Sequence, residues 1–118
     1  MPVETGVPPQ PGGDQAGRWR RPSRAGEADG FFLECDALYD REGVYGFASG
    51  SAYGSGGFSD NATRFAALSR AAVAAAPALL GGPVDIVHGH DWQAALAIHE
   101  ASRLSPRPAT ILTIHNLA

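Results

Sequence analysis

The clearest pattern of apolar and polar positions lies in the second half of the chain. Residues 84–88 and 109–114 are short runs rich in β-branched side chains, which is typical of buried strands. Between them, residues 91–103 carry apolar side chains at helical spacing, and Pro106 and Pro108 follow. A strand, a helix and a strand within about 30 residues predict a βαβ unit with parallel strands and a right-handed crossover.

A longer helix is predicted upstream of this unit. It should begin near Ser59 or Asp60, because either side chain can accept hydrogen bonds from the first free N–H groups. Pro77 is predicted to bend or end the helix, and Arg64 and Arg70 are interpreted as part of its solvated face. A buried stripe is predicted from apolar residues that recur every three or four positions, namely Phe65, Leu68, Ala72 and Ala76.

The first 30 residues have a different composition. They hold five prolines among many glycines and few large apolar side chains, so they cannot bury enough surface to offset the entropy of ordering. Residues 1–30 are therefore predicted to be a disordered tail. After it, the apolar residues 31–33 predict a strand, residues 36–45 a loop, and the glycine- and serine-rich residues 46–57 a flexible loop.

Composition narrows the class of protein. The formal net charge of −3 argues against a nucleic-acid-binding surface, which needs clustered positive charge. The single cysteine, Cys35, cannot form an internal disulfide, and no apolar run is long enough to span a membrane. The N-terminus also lacks the apolar stretch of a signal peptide. A soluble cytoplasmic protein without a nucleic-acid or membrane partner is expected.

Polar side chains follow both predicted strands of the βαβ unit. Ligands bind outside the carboxyl ends of parallel strands, so two clusters are expected at that edge, residues 88–92 (HGHDW) and 115–116 (HN). Carboxylate and amide groups pair with sugar hydroxyls, and an indole face covers the apolar face of a sugar ring. The sequence therefore predicts a site for a polyhydroxylated ligand, with Asp91 and His115 as its main candidates.

Other interpretations of these residues stay open. His88 and His90 point to the same side of an extended segment, so together with Asp91 they suggest a metal site. His115 is the one further nitrogen ligand that is evident in the sequence. His88 is otherwise expected to be a buried histidine bonded to backbone, and Trp92 is either a core residue or a sugar-stacking one. Nucleophilic catalysis is not favoured, because no serine or cysteine stands beside the histidines in a recognisable turn.

Four segments resemble signature motifs of one enzyme family. Two motifs of bacterial and plant glycogen (starch) synthases are similar to residues 84–93 (VDIVHGHDWQ) and 113–118 (TIHNLA). Two further motifs of that family resemble residues 38–46 (LYDREGVYG) and 60–65 (DNATRF). The four segments stand in the family's order within residues 30–118, which makes the resemblance more specific than any single motif.

The resemblance implies a fold and an activity. Members of the family are retaining glucosyltransferases of the GT-B architecture, in which two Rossmann-like domains face a cleft. They transfer glucose from ADP-glucose to an α-1,4-glucan without a metal ion or cofactor. The α/β fold of residues 31–118 would then be part of the N-terminal GT-B domain. By the same resemblance, His115 and Asp91 are expected to be catalytic and Asn116 to bind substrate. From the chemistry of the edge, Trp92 and His90 are also expected to bind substrate.

The chain also departs from the family pattern. It contains no lysine, so it cannot hold the family's Lys-x-Gly-Gly motif, and no donor-binding second domain is recognisable in it. It is therefore expected to be a synthase fragment that is inactive alone. The alternatives are a non-enzymatic glucan- or partner-binding remnant and a small metal-binding protein. The expected partners are α-1,4-glucan and ADP-glucose in the intact enzyme, and a complementary chain at the exposed sheet edges.

Overall fold

The computed structural model describes residues 17–21, 30–46 and 57–116. The chain divides into two compact units, Met1–Arg64 and Phe65–Ala118, and the boundary lies inside the longest helix. Most of the predicted tail and most of the predicted glycine- and serine-rich loop lie outside the described residues. The two ends of that loop, Gly46 and Gly57, form an antiparallel bridge.

A short antiparallel pair of strands lies in the first unit. β1, Arg18–Arg20, pairs with β2, Phe32–Glu34. Trp19, in the middle of β1, is only 5% exposed, and the arginines on either side of it both donate to the Glu34 carboxylate. The prediction of a disordered tail over residues 1–30 is therefore wrong for β1. The buried indole, together with two ion pairs at exposed arginines, stabilises a segment whose composition alone favours disorder.

A one-turn helix follows these strands. β2 lies one residue later than the strand predicted at residues 31–33, and α1 covers Asp36–Tyr39, where the sequence predicts a loop. Leu38 is buried, and the main-chain N–H groups of Leu38 and Tyr39 donate to the Cys35 carbonyl at 3.0 and 2.8 Å. The loop prediction is wrong for these residues, because burial of the leucine side chain favours a helical turn.

The long helix α2 covers Asn61–Leu80, so its predicted start is confirmed. Pro77 does not end it; the helix stops before Gly81, whose φ of +74° is a conformation that glycine adopts freely. No helix within the described ranges combines the length and apolar character of a membrane span. The predicted stripe is only half-buried. A buried row of α2 consists instead of small side chains that allow close approach, Ala67, Ala71 and Ala75.

The second unit contains the predicted βαβ arrangement. β3, Ile86–His90, and β4, Ala109–Thr113, form a parallel pair. The connecting helix α3 covers Asp91–Glu100, and a turn of 3-10 helix extends it to Arg103. The prediction of parallel strands joined by a helix is therefore confirmed.

Alternation along β3 places its side chains on two faces. An added Cβ at Gly89 would lie 3.0 Å from the Ala94 carbonyl oxygen and 3.4 Å from Ile98 Cδ1, so α3 covers this face closely. β3 begins two residues later than predicted and contains both His88 and His90, which lie exposed on the opposite face. The packing of α3 thus leaves one face of the sheet open.

Candidate functional site

The two polar clusters predicted from the sequence meet at one end of the β3–β4 pair. Asp91 is the first residue of α3, and His115 lies two residues beyond β4. The main-chain N–H of His115 donates to Asp91 Oδ1 over 2.6 Å. The structure thus brings together the two main candidate residues at the carboxyl ends of adjacent parallel strands.

Asp91 has an unusual backbone conformation. Its φ is +57°, in the left-handed region that aspartate tolerates better than most residues other than glycine. This conformation lets β3 lead into α3 with no intervening loop, and the carboxylate then reaches the segment after β4. Strained backbone that the surrounding structure maintains is common at functional sites.

A hydrogen bond joins the rings of His90 and His115. Nδ1 of His90 lies 2.9 Å from Nε2 of His115, the ring planes differ by 17°, and the centroids are 5.2 Å apart. Nearly parallel rings that face each other through two nitrogens are bonded edge to edge, with one nitrogen donating and the other accepting. Both residues are exposed, so a ligand can reach them.

His88 extends this arrangement along β3. Its Nε2 lies 2.8 Å from Thr113 Oγ1, and its ring stacks on that of His90 with centroids 4.2 Å apart and planes 29° apart. The expectation of a buried His88 bonded to backbone is wrong, because the residue is exposed and its partner is a side chain. Thr113 is absent from the sequence-based candidates; the parallel register, which sets Thr113 opposite His90, is the signal that identifies it.

Trp92 follows Asp91 at the start of α3. Its ring meets the Phe65 ring edge to face, with centroids 5.0 Å apart and planes at 78°, and 37% of the residue stays exposed. Trp92 therefore combines a packing contact with an accessible surface. Asn116 is exposed directly after His115, so it too lies at the predicted edge.

The polar groups of the site do not converge as metal ligands do. Across residues 17–21, 30–46 and 57–116, no three histidine, cysteine, aspartate or glutamate side chains form a group that could hold a metal ion. The facing nitrogens of His90 and His115 bond each other, and the Asp91 carboxylate accepts from a main-chain N–H. Hydrogen-bond donors and acceptors arranged in this way suit a ligand rich in hydroxyl groups.

Comparison with known proteins identifies the family. The family model of the starch synthase catalytic domain matches residues 6–118. The chain belongs to this family. The resemblance seen in its four motifs is therefore confirmed.

Glycogen synthases are among the relatives of this starch synthase segment. The glycogen synthase of Bordetella parapertussis is 50% identical over 90 residues, which cover 73% of the chain and 16% of that protein. The glycogen synthase of Granulibacter bethesdensis is 47% identical over 92 residues, which cover 75% of the chain and 18% of that protein. The glycogen synthase of Rhodopseudomonas palustris is 43% identical over 99 residues, which cover 81% of the chain and 19% of that protein. The chain thus spans less than a fifth of the length of each of these relatives.

The other two motifs of the starch synthase family lie in the first unit except for Phe65, and Arg64 joins them. Arg64 is 3% exposed, so its interpretation as a solvated residue is wrong. Its Nε donates to the Leu38 carbonyl at 2.7 Å, and its Nη1 donates to the Val44 carbonyl at 2.8 Å and to Asn61 Oδ1 at 2.6 Å. Burial, and then the charge of Arg41, lower the pKa of the Arg64 guanidinium.

Two further contacts support this motif pair. The Tyr39 hydroxyl donates to the Arg64 carbonyl at 2.7 Å, and burial raises the pKa of Tyr39 to about 12, so its phenol stays neutral. Arg41 donates to both carboxylate oxygens of Asp60, at 3.1 and 2.7 Å. The polar residues of these motifs therefore hold the local backbone together.

Proposed function

We propose that the chain is a segment of a retaining glucosyltransferase that transfers glucose from ADP-glucose to the end of an α-1,4-glucan. The observation that carries this proposal is the bond between the Asp91 carboxylate and the His115 N–H, because it joins two family motifs into one polar edge. The similarity to glycogen synthases supports the class of reaction. The β3–β4 pair belongs, in this proposal, to the first Rossmann-like domain of a GT-B enzyme.

Asp91 and His115 are the catalytic residues in this proposal. Positive charge develops on the transferred glucose as its bond to the diphosphate breaks, and a carboxylate and fixed dipoles stabilise such charge. Asp91 supplies the negative charge and holds the main chain of His115, whose ring bonds the glucose hydroxyls. Asn116, Trp92 and His90 bind substrate around these two residues. ADP-glucose enters as the donor substrate, without a cofactor.

The 118-residue chain alone is expected to transfer no glucose. It spans less than a fifth of the length of the three relatives named above, and it has no lysine for the nucleotide-binding motif. Purified chain incubated with labelled ADP-glucose and glycogen should incorporate no more label than a boiled sample. Incorporation above that background would contradict the expectation.

A chimera tests the proposed residue roles. Residues of this chain replace the aligned segment of the Bordetella parapertussis glycogen synthase, to which they are 50% identical. We expect the chimera to transfer glucose and Asp91→Ala or His115→Ala to lower kcat by about 100-fold, because each removes charge stabilisation from the reacting sugar. His99→Ala, at an exposed histidine of α3, is the matched control and should keep the parent rate. Equal rates for all three variants would sink the proposed roles.

A second candidate function is glucan binding without catalysis. The exposed surface of Trp92 beside two exposed histidines favours it, since such groups bind sugar rings. Electrophoresis through gels with and without amylose tests this candidate. It predicts that amylose retards the chain and that His115→Ala reduces the retardation. Equal mobility of the chain in both gels excludes it.

A further inference from the structure

Three exposed histidines form one continuous strip on the open face of the second unit. Thr113 Oγ1 bonds His88, the ring of His88 stacks on that of His90, and Nδ1 of His90 faces Nε2 of His115. We call His88, His90 and His115 the histidine strip. His90 is its middle ring, held against one face by His88 and along one edge by His115.

The bond between His90 and His115 restricts where their protons lie. A neutral imidazole carries one N–H, and one of the two facing nitrogens must donate while the other accepts. If Nδ1 of His90 donates, Nε2 of His115 accepts and the proton of His115 lies on Nδ1. In the opposite case both rings carry their protons on Nε2. The two neutral rings therefore share the same tautomer, which independent exposed histidines need not do.

We propose that His90 is a positioning residue that acts through His115. It fixes the plane of the His115 ring and couples the tautomers of the two rings, so the other nitrogen of His115 donates to glucose in one shared tautomer and accepts from it in the other. Asp91 holds the main chain of His115, so two consecutive residues, the last of β3 and the first of α3, hold its ring and its backbone. The purpose of this coupling rests on the proposed function, but the coupling itself does not.

Nitrogen-15 NMR of the full chain, labelled at histidine, tests the coupling at a pH where imidazole is neutral. We expect equal fractions of the Nδ1-protonated tautomer at His90 and His115. In His90→Ala, the fraction at His115 should move to that of His99, which is exposed on α3 and serves as the internal reference. Unequal fractions at His90 and His115 in the unaltered chain would overturn the proposal, whether or not the variant folds.

Two further variants separate positioning from packing. Asparagine carries its amide where imidazole carries Nδ1, and glutamine carries it where imidazole carries Nε2. His90→Asn therefore keeps a partner for Nε2 of His115, and His90→Gln removes it. The nitrogen-15 shift of this atom should stay at its bonded value in the first variant and move to that of His99 in the second. Equal shifts in the two variants would overturn the proposal.

The chimera links this coupling to the reaction. His90→Gln should lower its kcat about tenfold and change the KM for ADP-glucose by a smaller factor, because misplacement of a catalytic group affects mainly the reacting state. His90→Asn, which restores the partner of His115 Nε2, should have a kcat at least about threefold above that of His90→Gln. Equal kcat values for the two variants would count against positioning. A chimera without any activity would count against the proposed function, and the NMR comparison, which needs no sugar, would still decide the coupling.

Discussion

Arg64 in the first unit and the histidine strip in the second use polar side chains in opposite ways. In the first unit, the buried Arg64 guanidinium donates to carbonyls at the end of α1 and in the following segment, at Leu38 and Val44. In the second unit, β3 and β4 hydrogen-bond to each other along their shared edge, and α3 packs closely on Gly89. Irregular backbone needs side-chain partners, whereas paired strands supply their own. Polar side chains on β3 and β4 are therefore available for a site.

Burial distinguishes the two uses more clearly than residue type does. Arg64 is 3% exposed, whereas all three residues of the histidine strip are exposed. Both groups belong to segments that resemble family motifs. A polar residue in such a motif is thus structural where it holds buried carbonyls, and a candidate for ligand binding where it lies on an open sheet face.

The largest expected effect comes from removing the arginine that holds the first unit. Arg64→Met should lower the free energy of unfolding by about 3 kcal/mol, because the buried Leu38 carbonyl and the part-buried Val44 carbonyl lose their donor. Urea denaturation of the full chain, followed by circular dichroism, measures this change. Arg107→Met is the matched control at an exposed arginine and should change the value by less than about 0.5 kcal/mol. Equal urea midpoints for both variants would show that Arg64 does not stabilise the first unit more than an exposed arginine does.

The matching test in the second unit concerns close packing. Gly89→Ala should lower the free energy of unfolding by about 2 kcal/mol, because the new methyl group approaches the Ala94 carbonyl oxygen. Amide hydrogen exchange in α3 and β4 measures the loss. At Gly82 an added Cβ meets nothing within 4 Å, so Gly82→Ala is the control and should leave exchange unchanged. Unchanged protection in Gly89→Ala would show that close packing does not stabilise this unit.

The second unit could be predicted because its signals are local. Two β-branched runs around an apolar helix predicted the βαβ unit, and the carboxyl-end rule predicted that Asp91 and His115 would meet. The start of β3 at Ile86 could not be derived in this way, because pairing with β4 sets it and the Ala109 N–H donates to the Asp85 carbonyl just before it.

The first unit depends on contacts between residues far apart in sequence. Arg64 reaches carbonyls 26 and 20 residues before it, and β1 pairs with a strand beyond a segment rich in small residues. Neither periodicity nor composition reports such contacts. In the second unit, Arg70, also interpreted as solvated, is half-buried and pairs with Glu100, 30 residues later, at 3.4 Å. The sequence therefore favoured solvated arginines and a disordered tail where the structure has a buried arginine bonded to carbonyls, an ion pair at Arg70 and a strand.

The smallest expected effect is the pH dependence of stability that the Arg41–Asp60 ion pair gives the first unit. The bonds from Arg41 hold the pKa of the Asp60 carboxyl below its usual value. An ionised Asp60 therefore stabilises the first unit fully above the ordinary aspartate pKa, and this contribution is lost as pH falls through the lowered pKa. Asp60→Asn should lower the urea midpoint at neutral pH by less than Arg64→Met does, because the pair is partly exposed. In acid, the urea midpoints of Asp60→Asn and the unaltered chain should become equal.

Asp85→Asn supplies the control for this test in the second unit. It makes the same change at an exposed aspartate just before β3, and it should leave the urea midpoint unchanged at neutral and at acid pH. If the urea midpoints of Asp60→Asn and the unaltered chain differ by the same amount at every pH, the carboxylate charge is not the source of that difference. The polar stabilisation of the first unit would then rest on the buried arginine, whose charge persists in acid, and both units would tolerate acid alike.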